Sequence, residues 1–292
     1  GNFDSRSMVG RGSSSAVYKA DLGRGVEICV KRVMLSGPGD VFLSQVRRVA
    51  VLRHPHLVPV LGCLYHGSEH LLLLRFMHNG SLQELLHGGD DDALDWPRCL
   101  RIASGMAKAM AFLHRQNVVH GNLKPSNVLL DHGYEAHLSD YCGFHRVNPA
   151  AVRPDGGSWT AMASPDPYAP PEAGKEFQEG TAEGDVYGFG VLLLEMVTRS
   201  TRLNDPDPGN ARQMVESARS AWHERRVEEV VFPRVSATCG DTRQLVACVE
   251  VAVACTADAV AHRPSMDIVA QALHQLIRSM ENLPPRIHAS SA

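Results

Sequence analysis

The sequence lacks a CxxC pair and any other close spacing of cysteines. A disulfide framework needs an even set of cysteines, and a structural zinc site needs thiolates in closely spaced pairs. The odd and scattered set found here favours a protein of a reducing cytosol and argues against both kinds of site. The seven cysteines are Cys29, Cys63, Cys99, Cys142, Cys239, Cys248 and Cys255.

A long hydrophobic run is also missing. The best candidate, Val186–Val197, has about a dozen residues and two glycines, whereas a membrane span requires roughly 20 residues. This run therefore predicts a buried core helix. The chain opens Gly1-Asn2 with no methionine and no signal peptide, so we interpret it as a fragment. We expect no membrane contact within it and place any anchor of the parent protein outside these residues.

Neither sign of charge predominates, because 29 Lys and Arg stand against 32 Asp and Glu for a net charge of −3. This balance offers no electrostatic case for nucleic acid or anionic lipid as the main partner. Fifteen histidines are present, but their close pairs form no closed set of metal ligands. These pairs are His54 with His56, His66 with His70, and His114 with His120.

Hydrophobic patterning divides the chain into a strand-rich part and a helical part. Alternating segments before residue 90 predict strands, and apolar residues at helical spacing predict one helix among them. The predicted strands are Met8–Val9, Ala16–Ala20, Glu27–Val33, Leu57–Leu64 and Leu71–Phe76, and the predicted helix is Val41–Leu52. Further helices are predicted from Asp95, as N-cap, to His114, and at Asp185–Val197, Ala211–Val230, Arg243–Thr256 and Pro264–Asn282.

These elements predict a single two-lobed unit. Residues 1–77 form the small strand-rich lobe with its hinge, 78–283 form the helical lobe, and 284–292 are expected to be a disordered tail. A cleft between two such lobes is the default place for a ligand.

An ordered series of short motifs runs along both lobes and resembles the set found in protein kinases. Each motif alone is weak, but their common order over some 260 residues is not expected by chance. The motifs are the glycine-rich Gly10–Val17, Val30-Lys31, the loop His120–Asn127, Asp140-Tyr141-Cys142, Pro170-Pro171-Glu172, the helix Asp185–Gly190 and Arg263-Pro264. Flanking phrases such as Asn79–Leu82 and Arg263–Met266 are typical of plant receptor-like kinases.

The chain thus resembles the cytoplasmic kinase or pseudokinase domain of a plant leucine-rich-repeat receptor-like kinase. The resemblance implies an α+β, bilobal protein-kinase fold, with one main helix in the strand-rich lobe. It implies a nucleotide site at Gly10, Gly12, Val17, Lys31, Leu74, Met77 and Leu129, and a metal site at Asn127 and Asp140. The alternative for the last two is structural, with Asn127 bracing its own loop and Asp140 pairing with Lys31. It also implies that Asp185 braces the catalytic loop and that Glu172 forms a buried ion pair with Arg263.

Three positions depart from the family pattern. Gln45 stands where the helix glutamate that holds Lys31 belongs, and Asn122 stands where the catalytic base belongs. Cys142 replaces a glycine, so we expect its Cβ to restrict the loop, and we interpret its thiol as a tolerated small residue rather than a redox sensor. An amide cannot take up a proton at any useful pH, so we predict that no catalytic set is intact.

Three interpretations remain open at this point. The first is a receptor pseudokinase on the cytoplasmic side of the plasma membrane, acting as scaffold or allosteric regulator of a partner kinase or co-receptor. The second is a divergent, slow Ser/Thr kinase that uses Lys31, Lys124, Asn127 and Asp140. The third is a switch that binds ATP without turnover. Under the first, no cofactor is required, and ATP and magnesium bind weakly or not at all.

Overall fold

The structure is a computed structural model that describes residues 4–12, 15–33, 39–66, 69–90, 93–143, 166–173, 180–200 and 208–281. The predicted tail 284–292 lies outside the described residues. The described part forms the strand-rich lobe and the helical lobe of a bilobal α+β fold.

An antiparallel sheet of five strands builds the smaller lobe, in the order β1-β2-β3-β5-β4. Its strands are β1 (Met8–Arg11), β2 (Ser15–Asp21), β3 (Glu27–Val33), β4 (Val60–His66) and β5 (Glu69–Arg75). The register sets Lys31 opposite both Val17 on β2 and Leu72 on β5. Because side chains alternate between the two faces of a strand, these three residues share one face of the sheet.

One helix, α1 (Gly39–Val49), packs on that sheet. Its buried residues Phe42, Val46 and Val49 recur at spacings of four and three, which places them on a single helix face. The Phe42 ring meets the buried His70 of β5 edge-on, with ring centroids 5.1 Å apart. This face therefore anchors α1 against the strands that border the cleft.

Seven helices and a short hairpin make up the described part of the larger lobe. They are α2 (Leu82–His87), α3 (Trp96–Arg115), the hairpin of β6 (Val128–Leu130) and β7 (Ala136–Leu138), α4 (Ala182–Thr198), α5 (Pro208–His223), α6 (Pro233–Thr238), α7 (Thr242–Cys255) and α8 (Met266–Glu281). Every residue from Asp185 to Val197 on α4 is buried, so the apolar run predicted as a core helix is confirmed. Of the helices in the described ranges, none combines the length and apolar character that crossing a bilayer demands.

Local capping explains where two of these helices begin. The Asp95 carboxylate accepts a hydrogen bond from the Arg98 backbone N–H at 2.8 Å, which confirms the predicted N-cap of α3. Ser81 and Glu84 form a reciprocal capping box at the start of α2. The sequence prediction did not include α2, α6 or the β6–β7 hairpin.

Several predicted boundaries are wrong, and two of them have a visible cause. The helix predicted to reach Val230 ends at His223, because Arg225 takes a left-handed backbone conformation (φ 58°) that a right-handed helix cannot contain. The strand predicted from Leu57 begins at Val60. The Val58 N–H instead donates to the Leu138 carbonyl at 3.0 Å, so this segment pairs with β7 of the larger lobe.

Candidate nucleotide and catalytic site

The predicted catalytic loop is held by a buried carboxylate on α4. Asp185 accepts hydrogen bonds from the backbone N–H of His120 at 2.8 Å and of Gly121 at 2.7 Å. Its Oδ2 also lies 2.9 Å from His114 Nε2. The brace implied by the family resemblance is therefore confirmed, and it fixes the peptide groups on either side of His120.

A second contact secures the far end of this loop. The Asn127 side-chain amide donates to the Asn122 carbonyl at 2.7 Å. The Asn127 carbonyl in turn accepts from the backbone N–H and the hydroxyl of Ser139, at 2.8 and 2.9 Å. Asn127 is buried, and Asn122 is half-buried on the loop. The residue expected as a metal ligand thus serves the loop's own structure.

Lys31 pairs with Asp140 across the cleft. Gln45 lies on α1, and its side-chain oxygen is 3.8 Å from the place that a Cβ on Gly143 would occupy. Within the described residues, no hydrogen bond joins Gln45 to Lys31. The carboxylate expected to bind a metal is therefore also the counter-charge of the lysine expected to bind phosphates, because no glutamate on α1 supplies one.

The backbone after Asp140 corrects one prediction about Cys142. The left-handed conformations fall on Asp140 (φ 64°) and Gly143 (φ 73°), not on Cys142. The glycine freedom that this turn needs is thus available one residue later, and the Cβ of Cys142 imposes no strain. Burial raises the pKa of the Cys142 thiol to about 12. Because a thiolate is the reactive form, this supports a structural thiol rather than a redox sensor.

The residues implied for nucleotide binding lie on four strands, the hinge and the hairpin beneath it. The register joins Gly10 to Val17 and Val17 to Lys31 on adjacent strands. The Gly12 N–H donates to the Ser15 carbonyl at 2.8 Å and closes the β1–β2 turn. Leu74 of β5 and Met77 are buried, and Leu129 is half-buried on β6.

The groups that would hold a magnesium–nucleotide complex are present, but two of them are paired with each other. Asp140, Asn127 and Lys31 are the groups that would hold the metal and phosphates. Lys31 has taken Asp140 as its partner. The Asn127 amide donates to the loop through its N–H, which leaves its side-chain oxygen as the atom that would bind a metal. In the described ranges, no group of three or more His, Cys, Asp or Glu side chains is arranged to hold a metal ion.

An ion pair at the end of the activation segment supports the larger lobe. The two Glu172 oxygens accept from the Arg263 guanidinium at 2.5 and 2.7 Å, a two-pronged geometry that confirms the implied pair. The Arg263 side chain is fully buried, but 37% of the Glu172 side chain is exposed. The pair is therefore buried on one side only, which corrects the expectation. The guanidinium lowers the pKa of Glu172.

The sequence analysis missed a polar network below the catalytic loop. The buried Glu195 of α4 accepts from the Tyr168 hydroxyl at 2.7 Å, and its other oxygen lies 2.9 Å from His87 Nε2. Burial and the adjoining carboxylate raise the pKa of Tyr168. Lys124 and Ser126 line the same pocket. The three network residues are far apart in the chain, so only a polar Glu195 inside an apolar helix could have signalled the contact.

Comparison with known proteins agrees with this geometry. A family model described as protein tyrosine and serine/threonine kinase matches residues 3–273. The chain is 34% identical over 308 residues to leucine-rich repeat receptor protein kinase MSL1 of Oryza sativa subsp. japonica. The match covers all of this chain and 21% of that protein. It is 32% identical over 284 residues to receptor-like protein kinase BRI1-like 3 of Arabidopsis thaliana. This match covers 94% of this chain and 24% of that protein.

A solved structure is also similar. The pseudokinase domain of BIR2, described as an immune regulator of the RLK/Pelle family, matches with a TM-score of 0.77 and 27% sequence identity. The match covers 97% of this chain and 84% of that chain. The chain spans only 21–24% of the length of the two curated relatives.

Proposed function

Because the chain belongs to the protein tyrosine and serine/threonine kinase family, we propose that it is a catalytically impaired member that signals by binding. In this role it acts as a scaffold or allosteric regulator of a partner kinase or co-receptor. It does so as the cytoplasmic part of a plasma-membrane receptor. The relatives named above are plant receptor kinases, and the similar pseudokinase belongs to an immune regulator.

The observation that carries this proposal is the amide at position 122. Asp185 and Asn127 hold the loop from both sides, so Asn122 stands in a supported loop rather than in a collapsed one. Phosphoryl transfer relies on a carboxylate here to position the incoming hydroxyl and take its proton. An amide can accept a hydrogen bond but not the proton, and loss of a general base typically costs about 10²–10⁴ in rate.

The nucleotide side of the cleft supports the same conclusion. In a kinase, a glutamate on the helix above pairs with the lysine and positions it to contact the phosphates. Here Gln45 faces Gly143, and Lys31 pairs with Asp140. A nucleotide would have to separate that ion pair before its phosphates and metal could bind. We therefore infer weak binding of ATP and magnesium, with no requirement for either.

A slow Ser/Thr kinase is the second candidate. Four chemically competent side chains favour it, namely Lys31, Lys124, Asn127 and Asp140. The curated relatives are themselves named as kinases. In that case the substrate or its phosphate would have to accept the proton that Asn122 cannot take. A switch that binds ATP without turnover would use the same four side chains but no substrate hydroxyl.

A phosphotransfer assay with radiolabelled ATP and magnesium separates these candidates. The wild-type domain is compared with Asp140→Asn, which removes the metal-binding carboxylate, and with the exposed control Asp267→Asn. We expect no incorporation above background in any of the three proteins. Metal-dependent labelling that Asp140→Asn abolishes and Asp267→Asn preserves would refute impairment and establish the slow kinase.

A further inference from the structure

Helix α3 exposes a stripe of positive charge on an otherwise buried surface. Arg101 and Arg115 are its two exposed residues, and Lys108 is half-exposed midway between them. Residues seven apart differ in direction by only about 20° around a helix, so the three side chains leave the same face. The stripe is about 21 Å long, since a helix rises 1.5 Å per residue.

Two arginines from the smaller lobe extend this stripe sideways. Arg48, near the end of α1, donates to the carbonyl of Asn117, two residues beyond α3. Arg53 lies in the following loop, beside His54, whose ring stacks on Phe112 of α3 with centroids 5.1 Å apart. The basic face is defined as Arg48, Arg53, Arg101, Lys108 and Arg115.

Most charges on the basic face lack a compensating carboxylate. Among the described residues, Arg48 and Arg53 bond only to backbone carbonyls, and Arg101 and Lys108 form no ion pair. Arg115 alone pairs with a carboxylate, Asp267 of α8. Several cations elsewhere are paired, including Lys19 with Glu27, Arg32 with Glu69, Arg219 with Asp258, Arg226 with Glu224, and Arg243 with Asp241.

The two carboxylates that the described contacts place beside the basic face do not neutralise it. Glu135, in the β6–β7 turn, faces His56, and Asp267 is already paired with Arg115. Burial, then the charges of His56, Arg115 and Lys108, lower the pKa of His54 to about 4. His54 therefore contributes a neutral ring. Five cations confront two carboxylates, on a protein whose overall charge is −3.

We propose that the basic face docks an acidic segment of a partner protein. Arginine is well suited to this partner because its planar guanidinium binds a carboxylate through two parallel hydrogen bonds. Val51, which is 74% exposed, adjoins Arg53, and Phe112 is half-buried on the same side of α3. A peptide that carries apolar side chains between its carboxylates meets both kinds of group.

The length of the face agrees with a short extended peptide. A span of about 21 Å accommodates about six residues in extended conformation, at roughly 3.4 Å each. The apolar groups among the cations favour such a peptide over a layer of lipid phosphates, which offers no apolar side chains at that depth. This proposal does not depend on whether the catalytic site is active.

Fluorescence anisotropy with a labelled twelve-residue peptide, the sequence Glu-Asp-Glu-Leu repeated three times, tests the proposal. The proteins compared are wild type, the charge reversal Arg53→Glu/Lys108→Glu, and the matched control Arg75→Glu/Arg212→Glu. The control alters the net charge equally, at exposed arginines outside the basic face. The milder double variant Arg53→Gln/Lys108→Gln replaces the reversal if circular dichroism shows that the reversal does not fold.

We expect binding that weakens at least about tenfold in the reversal, and on raising NaCl from about 50 to about 300 mM. The control should stay within about twofold of wild type. Equal losses in the control and the reversal would reduce the effect to net charge and overturn the proposal. So would the absence of peptide binding at about 1 mM. The wild-type protein could instead bind no peptide but sediment with anionic phosphatidylserine vesicles. If the reversal abolishes that sedimentation, the face would be assigned to a membrane.

Discussion

The side-chain amide of Asn127 donates a hydrogen bond to the backbone carbonyl of Asn122 at 2.7 Å. The residue expected to bind a metal thus holds the loop that carries the missing base. Asp185 holds the same loop through the N–H groups of His120 and Gly121. Neither contact involves a nucleotide, so the shape of this loop and its capacity for chemistry are separable properties.

Restoring both missing carboxylates should restore chemistry. The double variant Gln45→Glu/Asn122→Asp supplies a base on an already braced loop and a counter-charge for Lys31 on α1. We expect metal-dependent phosphotransfer at least about 10² above the background seen with wild type, measured with radiolabelled ATP and a generic peptide. Adding Asp140→Asn to this background should return the rate to the wild-type value. A double variant no faster than wild type would show that the defect lies at other positions.

Wild-type protein should show almost no stabilisation by nucleotide. A ligand at a concentration equal to its Kd adds only about 0.4 kcal/mol, which shifts Tm by about 1 °C in a domain of this size. Because ATP must break the Lys31–Asp140 pair, we expect a shift below about 1 °C at about 1 mM ATP with magnesium. The variant Gln45→Glu should shift further. A large wild-type shift that requires magnesium would instead favour the ATP-binding switch.

Removing the loop brace should destabilise the whole lobe. Asp185→Ala leaves the N–H groups of His120 and Gly121 without their acceptor, which we expect to lower the free energy of unfolding by about 2–4 kcal/mol. Urea unfolding followed by circular dichroism measures this loss. Asp267→Ala is the control, since its pair with Arg115 is exposed and should cost less than about 1 kcal/mol. Comparable losses in the two variants would contradict the brace.

The Glu172–Arg263 pair should impart an acid-sensitive increment of stability. The pKa of Glu172 is lowered in the folded state from its ordinary value of 4.5. Its contribution is therefore present above pH 4.5 and is lost as the pH falls through the lower, folded pKa. Glu172→Gln should remove this dependence of the free energy of unfolding on pH, measured by urea unfolding at a series of pH values. The effect should be less than about 1 kcal/mol because the carboxylate is partly exposed.

Arg263→Lys tests the other partner of that pair. A lysine cannot make two parallel bonds to Glu172 while also reaching the carbonyls of Ala257 and Glu183, which Arg263 does. We expect a loss of about 1–3 kcal/mol in urea unfolding at neutral pH. If Arg263→Lys is as stable as wild type, the buried aliphatic part of the side chain, rather than its guanidinium, stabilises this part of the larger lobe.

The Cys142 thiol should be inert in the folded protein. Its pKa of about 12 leaves a negligible thiolate fraction at pH 7.4, and its side chain is buried. We expect no alkylation of Cys142 by iodoacetamide in native buffer, measured by peptide mass spectrometry. Protein unfolded in urea is the control, in which all seven cysteines should react. Rapid native labelling of Cys142 would revive a redox role.

Much of the architecture was predictable because it rests on local patterns. The alternation of β3, the N-cap Asp95 and the apolar run of α4 are visible within a few residues of sequence. Short elements escaped prediction because they offer too few residues to show a local pattern. The hairpin of β6 and β7 has three-residue strands, and its contact with Val58 comes from the other lobe. Likewise, the left-handed residue Arg225 that ends α5 carries no strong sequence signal.

The candidate site was predictable in composition but not in arrangement. The order of its motifs identified Gln45, Asn122 and Cys142 as departures. Which group Lys31 contacts depends on the approach of two lobes, and that approach places Asp140, not Gln45, within reach. The network of Glu195, Tyr168 and His87 also arises from packing between distant segments.

The sequence by itself determined the two-lobed kinase fold and the loss of a carboxylate at position 122, because residue type and order suffice for both. Tertiary structure alone decided that Asn127 supports its own loop, that Gly143 supplies the backbone freedom absent at Cys142, and that the cations of the basic face meet. These outcomes depend on which distant atoms come within a few ångströms of each other. That distance is set by the packing of the whole chain.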